Sequence, residues 1–190
     1  LGPSYQSIRR LDDVPCMQAY FKKHGYRTFA GGKVLHHGFT GRLKDAIDVT
    51  LPGRGGPRPM QQMNWPGGAW DWGAYPESDE LMGDYTLAKI AAAALKEKHD
   101  QPFFMSVGIF RPHVPMFVPA KWFELYDREQ TTLPKAPLAD MDDLPPNFKG
   151  RLKIEPTHAD VLKKGAWRGM VHAYLAYVSF ADMCDGEIIK

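Results

Sequence analysis

Apolar residues recur at helical spacing in three stretches of the chain, residues 13–24, 84–99 and 166–190. The first stretch is followed by Gly25, a residue type that commonly ends a helix. Residues 119–126 predict a further, shorter helix. The buried stripe predicted for the second helix is Leu87, Ile90, Ala91, Ala94 and Leu95. The stripe predicted for the third is Val171, Tyr174, Leu175, Val178 and Ala181.

Two apolar runs of strand length each follow one of the first two helices. "YRTFAGG", residues 26–32, predicts a short strand, and "PFFMSVGIF", residues 102–110, is apolar almost throughout. Such a run is typical of a central strand covered on both faces. The order helix, strand, loop, helix, strand, loop, helix therefore predicts an α/β layered fold whose loops gather at one edge of the sheet.

Two long segments, residues 40–76 and 127–160, interrupt this pattern and predict irregular structure. The first is rich in glycine, proline and tryptophan, and an irregular segment of this length is usually functional or disordered. Its tryptophans, Trp65, Trp70 and Trp72, favour an ordered loop. Their rings either fix the loop to the body of the protein or line a sugar-binding cleft.

The composition is that of an ordinary globular protein, with 44% hydrophobic and 24% charged residues in a chain of 190. A formal net charge of +2 gives no general affinity for nucleic acid. Residues 1–44, however, contain eight Lys or Arg against two acidic residues, a local net charge of +6. No apolar run approaches the roughly 20 residues that a membrane span requires. We therefore expect neither a nucleic-acid partner nor a membrane span.

Basic residues follow both predicted strands. "GKVLHHG" places Lys33 and His36 after the first strand, and "RPHVP" places His113 after the second. In open α/β sheets, ligands bind at the carboxyl ends of the strands. A lysine contributes a compact positive charge, and imidazoles donate hydrogen bonds and exchange protons near neutral pH. If the strands are neighbours, this set suits phosphoryl or sulfuryl transfer.

Other interpretations of these histidines remain open. Either motif alone is compatible with ordinary loop or core histidines. A zinc site of His36, His37 and His113 is less favoured, because adjacent histidines on an extended chain point in different directions. No serine lies in a nucleophile elbow, and no glycine-rich segment has the pattern of a phosphate-binding loop.

Three blocks of the sequence resemble the type I sulfatases, which use a formylglycine nucleophile. "FKKHGYRTFAGGKVLHHG" is similar to the family segment with G-Y-x-T, a strand and G-K-x-x-H. "QPFFMSVGIFRPHVPMFVPAKWFELYD" resembles the block with (K/R)-P-H-x-P, and "AYLAYVSFADMCDGEIIK" resembles the block with Y-x-A-x-V-S. The blocks occur in family order. The spacing of three residues between the lysine and the histidine resembles that of the iduronate-2-sulfatase-like branch.

This resemblance implies a fold similar to alkaline phosphatase, with a mostly parallel mixed sheet flanked by helices. It also implies hydrolysis of a sulfate ester on a sulfated sugar or polysaccharide. By resemblance, Lys33 contacts the sulfate and the aldehyde hydrate, and His36 hydrogen-bonds the hydrate and helps to release sulfate. His113 matches the histidine that holds the sulfate and the leaving-group oxygen. Arg111 stands where the branch often has lysine, so we expect its cation to line the substrate cleft.

The family motifs for the nucleophile and the metal are not matched in this chain. Formylglycine forms from the cysteine of C-x-(P/A)-x-R, and neither Cys16 nor Cys184 is followed by that pattern. The calcium ligands of the family come from an early Asp-Asp pair and a late D-(H/N)-G motif. We interpret Asp12 and Asp13 as a helix start instead. We therefore expect residues 1–190 to be a partial catalytic domain, inactive alone, with formylglycine and the Ca²⁺ ligands outside it.

Two alternative functions accompany the sulfatase hypothesis. One is a phosphomonoesterase or phosphodiesterase of the same superfamily, because sulfate and phosphate esters are similar in shape. The other is a non-catalytic relative that binds polyanions through the basic edge. Family habit predicts a secreted, periplasmic or lysosomal protein whose partner is a sulfated carbohydrate. The sequence carries no signal that fixes an oligomeric state.

Overall fold

The helices and strands follow the predicted order, with additional short elements. The computed structural model describes residues 15–35, 44–137, 139, 142–145 and 156–190. The helices are α1 (Met17–Lys23), α2 (Gly83–Lys96), α3 (Ala120–Phe123), α4 (His158–Lys163) and α5 (Trp167–Ile189). The strands are β1 (Arg27–Gly32), β2 (Val49–Leu51), β3 (Trp72–Ala74), β4 (Phe103–Gly108) and β5 (Met116–Val118). Every strand pair described is parallel, in agreement with the predicted α/β class.

The larger sheet has the strand order β2-β1-β4. Phe29 of β1 pairs with Val49 of β2 on one side and with Met105 of β4 on the other. Among the described residues, β1 has a strand on each side and β4 pairs with β1 alone, so the position of β4 at the centre of the sheet stays a prediction. Periodicity reports which faces of a strand are apolar, whereas strand order depends on which strands pair.

Helices cover both faces of β4, as its sequence predicted. On one face, Phe104 stacks on Phe21 of α1 with ring centroids 4.2 Å apart. On the same face, the Gln18 amide of α1 donates to the Ser106 hydroxyl at 3.0 Å. The alternate residues of β4 pack against α2, in a cluster that includes Leu87. Because successive side chains of a strand point to opposite faces, one apolar run serves both helices.

A second sheet, formed by β3 and β5, packs with α3 against the long helix α5. The residues of α5 that are buried are Gly169, Ala173, Ala176, Tyr177, Phe180 and Cys184. The predicted stripe was wrong, because Tyr174 is 48% and Val178 is 39% exposed. This helix is apolar on two adjacent faces, and the small residues Ala173 and Ala176 lie on the face that packs closely.

The prediction for α2 was closer to the observed packing. Leu87, Ala91 and Ala94 are buried, whereas Leu95 is 37% exposed. Helices α2 and α5 both begin and end close to the predicted residues. Glycine and charged residues mark the ends of a helix in a sequence more clearly than periodicity marks its buried face.

The long segment before α2 is held by a buried aspartate. The Asp71 carboxylate accepts four backbone hydrogen bonds, from the N–H groups of Met63, Asn64, Trp65 and Trp72, at 2.8–2.9 Å. Burial opposes ionisation of Asp71, but these N–H groups outweigh it and lower its pKa. Trp65 and Trp72 are both buried in the core, so these two rings fix the loop to the body of the protein.

Short elements in the long segments were missed by the sequence analysis. Strands β2 and β3 have three residues each, and they form through pairing with strands distant in sequence. Helix α4 begins with a capping box in which the Thr157 hydroxyl and the Asp160 carboxylate satisfy each other's backbone N–H groups. None of the helices in the described part of the chain has the length and apolar character to cross a membrane.

Candidate active site

The carboxyl ends of β1 and β4 are in direct contact. Gly32 and Gly108 are partners in the parallel ladder, and the Lys33 N–H donates to the Gly108 carbonyl at 2.7 Å. A Cβ at Gly108 would overlap the backbone of Lys33 and Val34. Glycine at this position therefore allows the close approach that brings the segment after β1 beside the segment after β4.

Lys33 and His113 contact the same aromatic ring. The Lys33 ammonium lies 4.8 Å from the centroid of the Phe110 ring. The His113 ring centroid is 5.0 Å from that of Phe110, with the rings tilted by 40°. The structure thus brings together two of the predicted site residues. The third, His36, lies outside the described residues, as does His37.

The hydrogen bonding of His113 defines its tautomer. Its Nδ1 lies 2.7 Å from the carbonyl oxygen of Val114. Because a carbonyl oxygen only accepts, Nδ1 carries a hydrogen, and the neutral ring has its lone pair on Nε2. His113 is exposed, and its Nε2 forms no hydrogen bond with any residue that the structure describes. The nitrogen is therefore accessible to a bound molecule.

The backbone around His113 is held by Tyr177 of α5. The Tyr177 hydroxyl lies 3.0 Å from the His113 carbonyl oxygen and 2.5 Å from that of Pro115, and it shares its single hydrogen between these two acceptors. Burial raises the pKa of Tyr177 to about 12, so the hydroxyl keeps its hydrogen at neutral pH. A buried helix side chain thus fixes the loop that carries an exposed histidine.

Asp84, at the start of α2, is a second anchor for the site. Its carboxylate accepts from the backbone N–H groups of Gly55 (2.7 Å), Phe110 (3.0 Å) and Arg111 (3.2 Å). It also pairs with the Arg111 guanidinium at 3.4 Å, and both side chains are buried. One carboxylate therefore joins the start of α2, the loop at Gly55 and the end of β4.

The structure places Arg111 beneath the surface of the site. The residue is 6% exposed, and its guanidinium lies over the Tyr177 ring, 5.3 Å from the centroid. It lines a pocket of about 250 Å³ beside Phe110. Its expected contact with substrate stays a prediction, and its charge is shared with Asp84.

Comparisons with known proteins agree with these geometric features. The Sulfatase family model matches residues 2–190. A curated sulfatase of Formosa agariphila is 35% identical, in a match that covers 96% of this chain and 40% of that protein.

The chain belongs to the sulfatase family.

Two further relatives carry a more specific name. The iduronate 2-sulfatase of Mus musculus is 23% identical, and that of Homo sapiens is 28% identical; each match covers 90% of this chain. These matches cover 35% and 36% of the two enzymes, so this sulfatase chain spans about two fifths or less of the curated relatives' length. Membership confirms the predicted family and, with the parallel sheets between helices, the predicted alkaline-phosphatase-like fold.

Two features of the described part of the chain bear on the metal and the nucleophile. Within it, no group of three or more His, Cys, Asp or Glu side chains is arranged to hold a metal ion. Cys184 is fully buried in α5, and burial raises the pKa of its thiol to about 12, so the thiol is not a nucleophile. Cys16 precedes α1 and is half-buried. The family as a whole implies a metal ion and a formylglycine.

Three residues that build the candidate site were not predicted from the sequence. Phe110 appears in the sequence as the end of an apolar strand, Asp84 as a helix start, and Tyr177 as one of many apolar helix residues. The sequence signal at Asp84 was present: an aspartate in the first turn of a helix is available to backbone N–H groups. Its partners at positions 55 and 110 depend on the fold of two loops.

Proposed function

We propose that the full-length protein hydrolyses sulfate esters on a sulfated sugar or polysaccharide. In this proposal, residues 1–190 form part of its catalytic domain. The observation that carries the proposal is the contact of Lys33 and His113 with one ring, at adjacent strand ends, in a chain of the sulfatase family. His36, three residues after Lys33, completes the proposed set.

The two described residues have complementary chemical roles. The Lys33 ammonium forms no ion pair with the residues that the structure describes, so its charge is available to a sulfate oxygen. The His113 Nε2, when protonated, donates to the oxygen that leaves with the sugar. Holding both groups in place before substrate binds lowers the cost of stabilising charge in the transition state.

The proposed hydrolysis also requires a nucleophile and a metal ion, and the described residues do not match the family's motifs for either. In this family a formylglycine would supply the nucleophile, and Ca²⁺ would supply positive charge. Cys184 is buried, Cys16 lacks the formylglycine pattern, and the described residues include no cluster of three or more His, Cys, Asp or Glu placed to hold a metal ion, so we propose that both groups are provided from outside residues 1–190. On this proposal the 190 residues alone have no turnover.

We propose a sulfated glycan as the substrate and partner. The family assignment and the two iduronate 2-sulfatase relatives support this substrate class. The basic residues at the strand ends favour an anionic ligand. Such glycans occur outside the cytoplasm, so a secreted, periplasmic or lysosomal location follows from the same proposal.

The test compares matched sulfate and phosphate esters of one leaving group, with the full-length protein. We expect faster release of sulfate than of phosphate, and loss of turnover when a chelator removes Ca²⁺. Preferential release of phosphate would favour the phosphoesterase alternative. Tight binding of a sulfated oligosaccharide without turnover of either ester would favour the non-catalytic, polyanion-binding alternative.

A further inference from the structure

The pocket beside Phe110 has an unusual lining. Three arginines contribute to it, Arg54, Arg58 and Arg111, and none of the lining residues that the structure describes is acidic. Phe117 and Tyr177 form part of its apolar wall. A pocket of about 250 Å³ with this lining has room for a small planar or tetrahedral anion.

The charges of Arg54 and Arg58 are not neutralised by neighbouring acids. The Arg54 guanidinium lies over the Phe110 ring, 5.3 Å from the centroid. Within the described ranges, neither Arg54 nor Arg58 forms an ion pair or a side-chain hydrogen bond. Two positive charges therefore face one pocket without a counter-ion from the described chain.

Arg111 is buried at this pocket with incomplete hydrogen bonding. Its Nη1 reaches Asp84 only at 3.4 Å, and its Nη2 is 3.9 Å from the Met82 sulfur. Its Nε is buried without a hydrogen-bond partner among the described residues. A Cβ at Gly56 would lie 2.6 Å from Nη2, so glycine keeps the loop close against the guanidinium. Buried donors are normally satisfied, and this shortfall adds positive potential to the pocket.

We infer that this pocket binds a second anionic group of the substrate, a carboxylate or a second sulfate, while Lys33 and His113 contact the ester sulfate. Arg54 and Lys33 both lie over the Phe110 ring, so the two anion sites are neighbours. The planar fork of arginine matches the oxygens of either group. The inference rests on the proposed function, because it takes the ester sulfate as the first anion.

The pocket adjoins a second surface depression whose polar side chains could contact a sugar. At Arg58 and Phe117 it meets a second depression, lined among others by Gln61 and Gln62. Amide side chains both donate and accept hydrogen bonds, as sugar hydroxyl groups require. The arginines therefore select an acidic group on a sugar whose neighbours extend along this depression.

The test measures binding by calorimetry to the full-length protein, with oligosaccharides of equal length. One carries a single sulfate ester, the second an added carboxylate, and the third an added sulfate. We expect the wild type to prefer the second or third over the first by roughly tenfold, as for one charge-assisted contact. Comparison of the second and third ligands identifies the group that the pocket accepts.

Variants locate this preference in the pocket. Arg58→Gln and Arg54→Gln should each reduce the ratio of affinities, doubly charged to singly charged ligand, by several-fold. The matched control is Lys96→Gln, which removes an exposed charge at the opposite end of α2 from Asp84 and should leave the ratio unchanged. Equal affinities of the wild type for all three ligands, or equal effects of Arg58→Gln and Lys96→Gln, would overturn the inference.

Binding and turnover separate this inference from the proposed function. A wild type that discriminates the ligands without releasing sulfate would contradict the proposed activity and retain the anion pocket. A wild type that releases sulfate without discrimination would retain the activity and refute the pocket.

Discussion

Asp71 and Asp84 are two buried carboxylates that organise two different loops by the same physical means. Asp71 accepts only backbone N–H groups, four in number, from the segment that carries Trp65 and Trp72. Asp84 accepts three backbone N–H groups and also pairs with the Arg111 guanidinium. The loop held by Asp71 carries the buried rings of Trp65 and Trp72. The loops held by Asp84 instead lead to the exposed His113 and line the arginine pocket.

The difference shows how a buried carboxylate becomes part of a candidate functional site. Backbone N–H groups alone satisfy Asp71, and the result is a rigid loop fixed to the core. At Asp84 the additional guanidinium places a buried cation beside a pocket, while the same carboxylate fixes the end of β4. The first aspartate therefore contributes mainly to stability, and the second to stability and to the placement of charge.

Of the two aspartates, Asp84 should cause the larger loss of stability when it is replaced. Asp84→Ala leaves Arg111 as a buried charge without its partner and should lower the free energy of unfolding by about 3–5 kcal/mol. Chemical denaturation of the full-length protein measures this loss. A variant that stays as stable as the wild type would show that Asp84 does not hold these loops together.

Replacing Asp71 should have a smaller effect, confined to stability. In Asp71→Asn the amide cannot accept all four backbone N–H groups, so the free energy of unfolding should fall by about 1–3 kcal/mol. Denaturation and sulfate-ester turnover measured on the same sample test this. Turnover per folded molecule should match the wild type, and a large loss of turnover with unchanged stability would invert the comparison.

The contribution of Asp71 to the stability of the fold should depend on pH. Because its pKa is lower in the folded protein than in the unfolded chain, its ionisation stabilises the fold above the unfolded pKa. This stabilisation is lost as the pH falls through the folded pKa. The stability gap between the wild type and Asp71→Asn should therefore narrow below about pH 4 in denaturation curves. A gap that widens in acid would contradict the assigned sign.

Replacing Tyr177 should destabilise the fold less than replacing either aspartate. Tyr177→Phe removes the hydroxyl that holds the carbonyls of His113 and Pro115, at a cost of about 1 kcal/mol. The looser loop should also slow turnover, because His113 is then less well positioned. The matched control is Tyr174→Phe, an exposed tyrosine on the same helix. Equal turnover in the two variants would show that Tyr177 does not position His113.

Much of this architecture was predictable because local sequence determines it. Lys33 and His113 follow apolar runs, and two parallel neighbouring strands necessarily end at one edge of the sheet. The buried face of α5 was not predictable, because two of its faces are apolar and only tertiary packing selects one. The pairing of Arg111 with Asp84, 27 residues earlier, depends on the path of two loops. The catalytic roles of Lys33, His36 and His113 stay predictions.

The rate of sulfate-ester hydrolysis by Lys33→Ala and His113→Ala, with Lys96→Gln as the control, tests most directly whether these strand ends form the active site. We expect each alanine variant to lose roughly 100-fold or more in kcat/KM, as for a lost transition-state donor, with Tm unchanged. The double variant should lose less than the product of the single losses, because the two groups act on one sulfate. Near-wild-type hydrolysis in both single variants would contradict the claim that these strand ends form the active site.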